Sequence, residues 1–371
     1  MKKVAFYGTS GGVSFAQNGF DEGLKTIGMN TGNAIFQHAL WSKIRDPKSV
    51  ANFGMSPEFI RDHFDLLVIP AANQVNPQWD LGGWADFIEK ANLPCVVIGL
   101  GAQAKLDDGT KMDLPEGTER FIKVLSERTT EIGVRGQFTQ EVLANYGVTN
   151  TVITGCPSQT INMSVTGDHI QSKISTLKDM GVSRAAYLVG TLEDHARPTE
   201  VRVSSIAAQV DHLTVFQTDP RFLRFIHDGT LSEEQISFFK WSKAFLRPSQ
   251  SYGEFVQYLR DSGIFYSDAK QWIDSMKRVD VALGMRIHGA VAAIQAGSLG
   301  VCVTFDSRTL ELSETMGIPH ISPKEISKCF SMRDVLDATN FSARGFEEKR
   351  TLLVGRIEKI LNDSGIEISR R

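Results

Sequence analysis

An arginine and a histidine two residues apart, Arg286 and His288, stand between the end of an apolar run and a stretch of small residues, Gly289-Ala290-Val291-Ala292-Ala293-Ile294. A stretch of that kind reads as a helix laid closely on a sheet, with Gly289 and the alanines permitting the approach. The pair then lies at the mouth of a helix N-terminus, whose unpaired N–H groups and positive dipole end attract an anion. The chemistry this spacing suits is the holding of a phosphate or carboxylate. A surface ion pair for Arg286 and a capping role for His288 form the plainer alternative. Cys156, in Gly155-Cys156-Pro157-Ser158, has no basic residue close to it in sequence and reads as a small buried thiol before a turn, not as a nucleophile. The eight histidines make no HxxxH or HExxH pair, so no metal is implied. The loop Gly8-Thr9-Ser10-Gly11-Gly12 suits a phosphate or a sugar, but it matches neither the Walker spacing nor the GxGxxG dinucleotide spacing.

Elements must hold these residues in place. Short apolar runs at 4–7, 66–69, 95–98, 132–134 and 152–153 alternate with amphipathic stretches at 34–44, 84–90 and 138–146, the pattern of parallel strands joined by crossover helices. The pattern restarts with strands expected at 185–189, 213–216, 264–266, 281–283 and 301–305. Two Rossmann-like α/β domains facing a cleft follow, with ligands expected at the carboxyl ends of the strands. The weakly periodic stretch 162–181 places the border near 175, giving domains at 1–175 and 176–330. A helical segment, 331–371, is expected to pack back on them through the amphipathic run 346–361. The polar, Gly-rich stretch 12–30 is longer than a usual strand-to-helix turn and is expected to be a mobile loop.

Composition narrows the classes. A chain of 371 residues exceeds the size at which one core usually keeps growing. Forty Lys+Arg against 43 Asp+Glu, a formal charge of -3, argues against a nucleic-acid-coating surface. The four cysteines form no CxxC or CxxH spacing, which points away from disulfides and structural zinc and toward a reducing, cytoplasmic setting. The N-terminal apolar run is too short for a secretory signal, and no run spans a bilayer, so any membrane contact, at the inner face, would be peripheral.

The run RIHGAVAAIQAG, followed by VCVTFDSRTLELSETMGIP, resembles the C-terminal signature of the polysaccharide pyruvyl transferase family. Asn30-Thr31-Gly32-Asn33, Gly99-Leu100-Gly101-Ala102-Gln103, Ile132-Gly133-Val134-Arg135-Gly136 and Gly155-Cys156-Pro157-Ser158 agree with it in order, over about residues 30 to 321. The resemblance implies a glycosyltransferase-B-like fold and the transfer of the carboxyvinyl unit of phosphoenolpyruvate onto a sugar as a pyruvate ketal, with release of phosphate and no cofactor. The partners it implies are phosphoenolpyruvate and a saccharide or lipid-linked saccharide.

A donor bearing a phosphate and a carboxylate needs fixed cations, and Arg286 and Arg135, with His288 and Gly289, are the expected donor contacts. The enol ether must gain a proton as a sugar hydroxyl loses one, so an acid and a base are needed. His288 leads, as acid, base or phosphate ligand, with Asp306 and Glu314 as carboxylate partners. A helix cap explains Asp306 equally well, and a solvated face explains Glu314 better. Asn30, Asn33 and Gln103 are expected on the acceptor side, although capping suffices for both asparagines. Trp79 and Trp84, in WDLGGW, suit sugar stacking or ordinary packing. Two other readings share the fold: a nucleotide-sugar glycosyltransferase and an inactive saccharide-binding relative.

Overall fold

The alternation of apolar runs and helices builds two parallel sheets in a computed structural model that describes residues 1–52, 54–103 and 109–369. The first contains β1 (Val4–Tyr7), β2 (Lys48–Ala51), β3 (Leu66–Pro70), β4 (Cys95–Leu100), β5 (Ile132–Val134) and β6 (Thr151–Ile153), in the order β2-β1-β3-β4-β5-β6. The second contains β7 (Arg184–Leu188), β8 (Asp211–Val215), β9 (Gly263–Ile264), β10 (Val281–Gly284), β11 (Leu299–Val303) and β12 (His320–Ile321), in the order β12-β11-β10-β7-β8-β9. Every neighbouring pair is parallel. The inner strands β3, β4 and β11 are buried throughout, as strands covered by helices on both faces must be. The order of the second sheet reverses between β7 and β10, so a crevice opens beyond their carboxyl ends.

The expected pair of Rossmann-like domains is therefore present. Two edge strands, β2 and β12, add to the expected set, and the ninth is shorter, Gly263–Ile264 in place of 264–266. The first sheet ends at Ile153 and the second begins at Arg184, and residue 175 lies inside the helix Gly167–Met180 that joins them.

The stretch 12–30 departs from expectation. It forms the helices Phe15–Asn18 and Phe20–Thr26, and Phe15, Phe20, Leu24 and Ile27 are buried in the core of the second domain. Phe15 packs edge-on against Phe265 at 5.5 Å. The preceding loop is tied across as well, Val13 N–H donating to Ser267 O at 2.9 Å and Ala269 N–H to Gly11 O at 2.9 Å. Aromatic residues spaced among polar ones give this segment a buried face, and that overrides its polar average.

The helix Ala343–Asp363 runs along both domains. Phe346 and Leu353 enter the core containing the second sheet, whereas Ile357, Ile360 and Leu361 join Val4, Phe6, Leu66 and Val96 under the first. The tail beyond it returns to the first domain, with Arg45 N–H donating to Glu367 O at 2.7 Å. Two Rossmann-like domains, with a final helix that crosses back to the first, make the glycosyltransferase-B-like architecture. Among the described residues no helix is long and apolar enough to cross a membrane.

Candidate active site

The switch point of the second sheet is where Arg286 emerges. It forms the N-cap of the helix Ile287–Ala296, and no side chain caps that helix. Its guanidinium is held from three sides, Nε donating to Val189 O at 3.2 Å and Nη2 to Gly190 O at 2.5 Å and Thr218 Oγ1 at 2.9 Å. These partners follow β7 and β8, so the carboxyl ends of two strands fix one cation. Burial and the neighbouring Arg308 push its pKa down to about 10, which leaves it charged at neutral pH. Gly289 lies in the first turn of the same helix, where a Cβ would stand 2.7 Å from Leu188 Cδ2, so the missing side chain helps the helix settle close to β7.

His288 points across to the first domain. It is buried, its ring lies 5.3 Å from that of Phe36 on the helix Asn33–Lys43, and its Nε2 is 3.6 Å from Cys156 Sγ. The fold thus gives Cys156 the imidazole neighbour that its sequence surroundings lack, while its thiol is buried as expected. Burial and then the charges of Arg135 and Arg308 hold His288 well below the usual imidazole range. Both effects favour the neutral ring.

Arg135 leaves the end of β5 and is buried among the same groups, with Nε donating to Gly99 O at 3.0 Å. Its Nη2 is buried without a hydrogen-bond partner. A Cβ on Gly101 would fall 2.6 Å from Arg135 Cδ, so the glycine of that motif is the seat of the arginine side chain. Burial moves its pKa down to about 10, with Arg308 adding to the effect and Cys156, Glu311 and Asp306 opposing it.

Arg308 is the cation that the sequence reading passed over. It sits in the first turn of the helix Ser307–Met316, beyond the carboxyl end of β11, and its Nη2 is 3.4 Å from Asp306 Oδ2. Its Nε, like Arg135 Nη2 and Asp306 Oδ2, is buried with no hydrogen-bond partner. Position was the available signal: an arginine two residues past a strand-end aspartate, at the carboxyl edge of a buried strand. Three guanidinium groups near one buried imidazole, two of them with unsatisfied buried N–H groups, make a cationic cluster whose chemistry suits a multiply charged anion.

The expected carboxylates separate. Asp306 caps the helix Ser307–Met316 through Oδ1, which accepts from Thr309 N–H at 2.7 Å, and it faces Arg308 with Oδ2. Glu314 lies two turns further on, exposed, in a cavity of about 490 Å³ lined also by Gln137, Phe138, Ser307, Lys349 and Arg356. It is not among the buried groups around His288. The buried carboxylate of that helix is Glu311, which accepts from Thr139 N–H at 2.8 Å and Thr139 Oγ1 at 3.0 Å and so caps the helix Gln137–Asn145 of the first domain. Burial raises its pKa.

The expected acceptor contacts are tied internally. Asn30 Oδ1 accepts from Gly32 N–H at 2.9 Å, Asn33 Nδ2 donates to Ile27 O at 2.9 Å, and Gln103 Oε1 accepts from Asn73 Nδ2. Asn30-Thr31-Gly32 nonetheless borders the pocket, since Thr31 N–H donates to Gln217 O at 2.9 Å and a Cβ on Gly32 would stand 3.4 Å from His288 Cβ. Trp84 is packed against Tyr7 at 4.5 Å and Phe121 at 5.8 Å, and Trp79 is exposed.

A two-domain α/β protein with three neighbouring arginines and a buried histidine beyond the carboxyl ends of its strands is the class that fold and site define. The polysaccharide pyruvyl transferase family model matches residues 30–304, and the chain belongs to that family, whose members are transferases of polysaccharide biosynthesis. No curated protein matches the chain in sequence. Solved structures align with it over long stretches at 12% identity. Anabaena Alr3699/HepE in complex with UDP has a TM-score of 0.44 over 98% of both chains. S. aureus MnaA with UDP has 0.47 over 98% of this chain and 97% of that one. The trehalose-6-phosphate synthase OtsA has 0.36 over 80% and 69%.

Proposed function

We propose that the protein transfers the carboxyvinyl unit of phosphoenolpyruvate to a saccharide, forming a cyclic pyruvate ketal and releasing phosphate. The observation that carries this reading is the set of buried, unsatisfied guanidinium N–H groups of Arg135 and Arg308 beside Arg286. Phosphoenolpyruvate offers a phosphate and a carboxylate a few ångströms apart, and planar guanidinium groups suit both. Membership of the family points the same way.

Two hydroxyls of one sugar must add to C2 of the donor. The first hydroxyl attacks C2, its proton ends on the methylene carbon, and that carbon becomes the ketal methyl group. The C2–O bond to phosphate then breaks, the second hydroxyl closes the ring, and its proton leaves with the phosphate. His288, neutral beside two cations, starts as the proton acceptor for the first hydroxyl. Once protonated it is a strong acid, because Arg135 and Arg308 oppose its charge, and it hands the proton on. Arg135, Arg286 and Arg308 hold donor and released phosphate, while Asp306 orients Arg308.

Purified protein incubated with phosphoenolpyruvate and a panel of sugar acceptors should release phosphate and yield a product with the mass of the ketal. No turnover across a broad panel, together with no thermal stabilisation by phosphoenolpyruvate, would sink the reading. Stabilisation by a nucleoside diphosphate alone would favour the nucleotide-sugar alternative.

A further inference from the structure

Beyond β8, where Arg221 follows Thr218 and Asp219, the second domain exposes Trp241, 48% accessible, on the helix Glu233–Leu246. Glu234, Ser237 and Trp241 lie on the exposed face of that helix and, with Phe238 and Arg221, line a shallow recess of about 420 Å³. Its floor is rigid. Trp241 packs against Phe238 at 5.7 Å and Phe245 at 4.7 Å, and Phe238 rests on Phe222 at 5.0 Å, which in turn packs on Phe216 just beyond β8. Arg221 lies 3.5 Å over the ring of Phe238, and its fork is neutralised by Asp219, with contacts of 2.9 and 2.7 Å. Asp219 has a φ of 66°, a left-handed conformation unusual for a residue other than glycine, and it follows directly on Thr218, the partner of Arg286. An unbroken chain of contacts therefore joins the recess to the anion pocket.

The lining selects the ligand. The one guanidinium is already paired, so no cation is left for a phosphate; what remains is an indole face beside a carboxylate and a hydroxyl. A pyranose ring has a matching apolar C–H face and a rim of hydroxyl donors. We propose that this recess is a saccharide subsite, which holds a sugar unit of the acceptor remote from the unit that receives the pyruvyl group. The proposal rests on the saccharide-acceptor reading above.

The test needs no donor. Intact protein is titrated with linear tri- to hexasaccharides of glucose, galactose, mannose and N-acetylglucosamine, and binding is followed by calorimetry and tryptophan fluorescence. At least one series should bind saturably. Trp241→Ala should weaken it by about tenfold, while Trp241→Phe keeps most of the affinity. Ser237→Lys, a surface change that fills the recess, gives the same loss without touching the aromatic packing, and thermal melts check that each variant is folded. Binding by no member of the panel, or equal binding by wild type and both disruptive variants, overturns the proposal. So does a change in oligomeric mass on Trp241→Ala with saccharide affinity unchanged, which would make the recess a contact between copies. Saccharide binding without phosphate release from phosphoenolpyruvate would refute the transfer reading and leave the subsite standing. Turnover indifferent to Trp241 and Ser237 would do the reverse.

Discussion

Arg308 gives the most direct test at the level of single residues. A charge-assisted hydrogen bond contributes about 1.5–3 kcal/mol, so Arg308→Met should weaken phosphoenolpyruvate binding by roughly 10- to 100-fold with the fold intact, measured by calorimetry. Unchanged affinity would remove it from the pocket. His288→Ala should cut turnover by roughly 10²–10⁴ if the imidazole moves the proton. Because its pKa is held well below the usual range, the acid limb of the kcat/KM profile should fall below pH 6.5, with activity lost only as protonation removes the base. A limb at or above neutrality contradicts a neutral His288. Glu200 is buried, bonded to Tyr187 Oη and to Gly190 N–H at 3.0 Å, and burial raises its pKa from the ordinary 4.5 to about 7. Between those values the folded protein holds the proton more tightly than the unfolded chain. Stability should therefore fall as pH rises through that window and level off above it. Denaturant melts of Glu200→Gln should lack this slope.

Among the elements, the inner strands were legible because burial on both faces demands continuous apolar runs, as in Leu66–Pro70. Two of the four edge strands, β2 and β12, were not. Lys48–Ala51 is half polar and His320–Ile321 has two residues, and neither carries a period to read. The RIHG step was legible because strand, cation and helix are consecutive, whereas the approach of His288 to Cys156 spans 132 residues and exists only after the domains meet. Asp306 illustrates a shared signature, since a capping carboxylate and a site carboxylate occupy the same strand-end position. The cross-domain cap by Glu311 left no local trace either, because its helix partner lies 172 residues away. Removing it in Glu311→Ala leaves Thr139 N–H buried and unpaired, and should cost about 1–3 kcal/mol in a urea melt.

For the molecule as a whole, the helix Ala343–Asp363 joins the two cores, so the domains are expected to unfold together. Ile357→Ala, in the middle of that helix and buried, should cost about 2–5 kcal/mol and lower one shared transition. Two separate transitions, with only the first domain affected, would show that the helix does not couple them. The same helix also sets an order of events during synthesis. Val4 and Phe6 enter the ribosomal tunnel more than 300 residues before the side chains that cover them, Ile357, Ile360 and Leu361. The first sheet must wait with an open apolar face until the helix Ala343–Asp363 has emerged. Such distant contacts fold slowly and leave a nascent chain exposed to aggregation. An insertion or truncation near residue 360 is therefore expected to injure the first sheet, although it lies far from it in sequence.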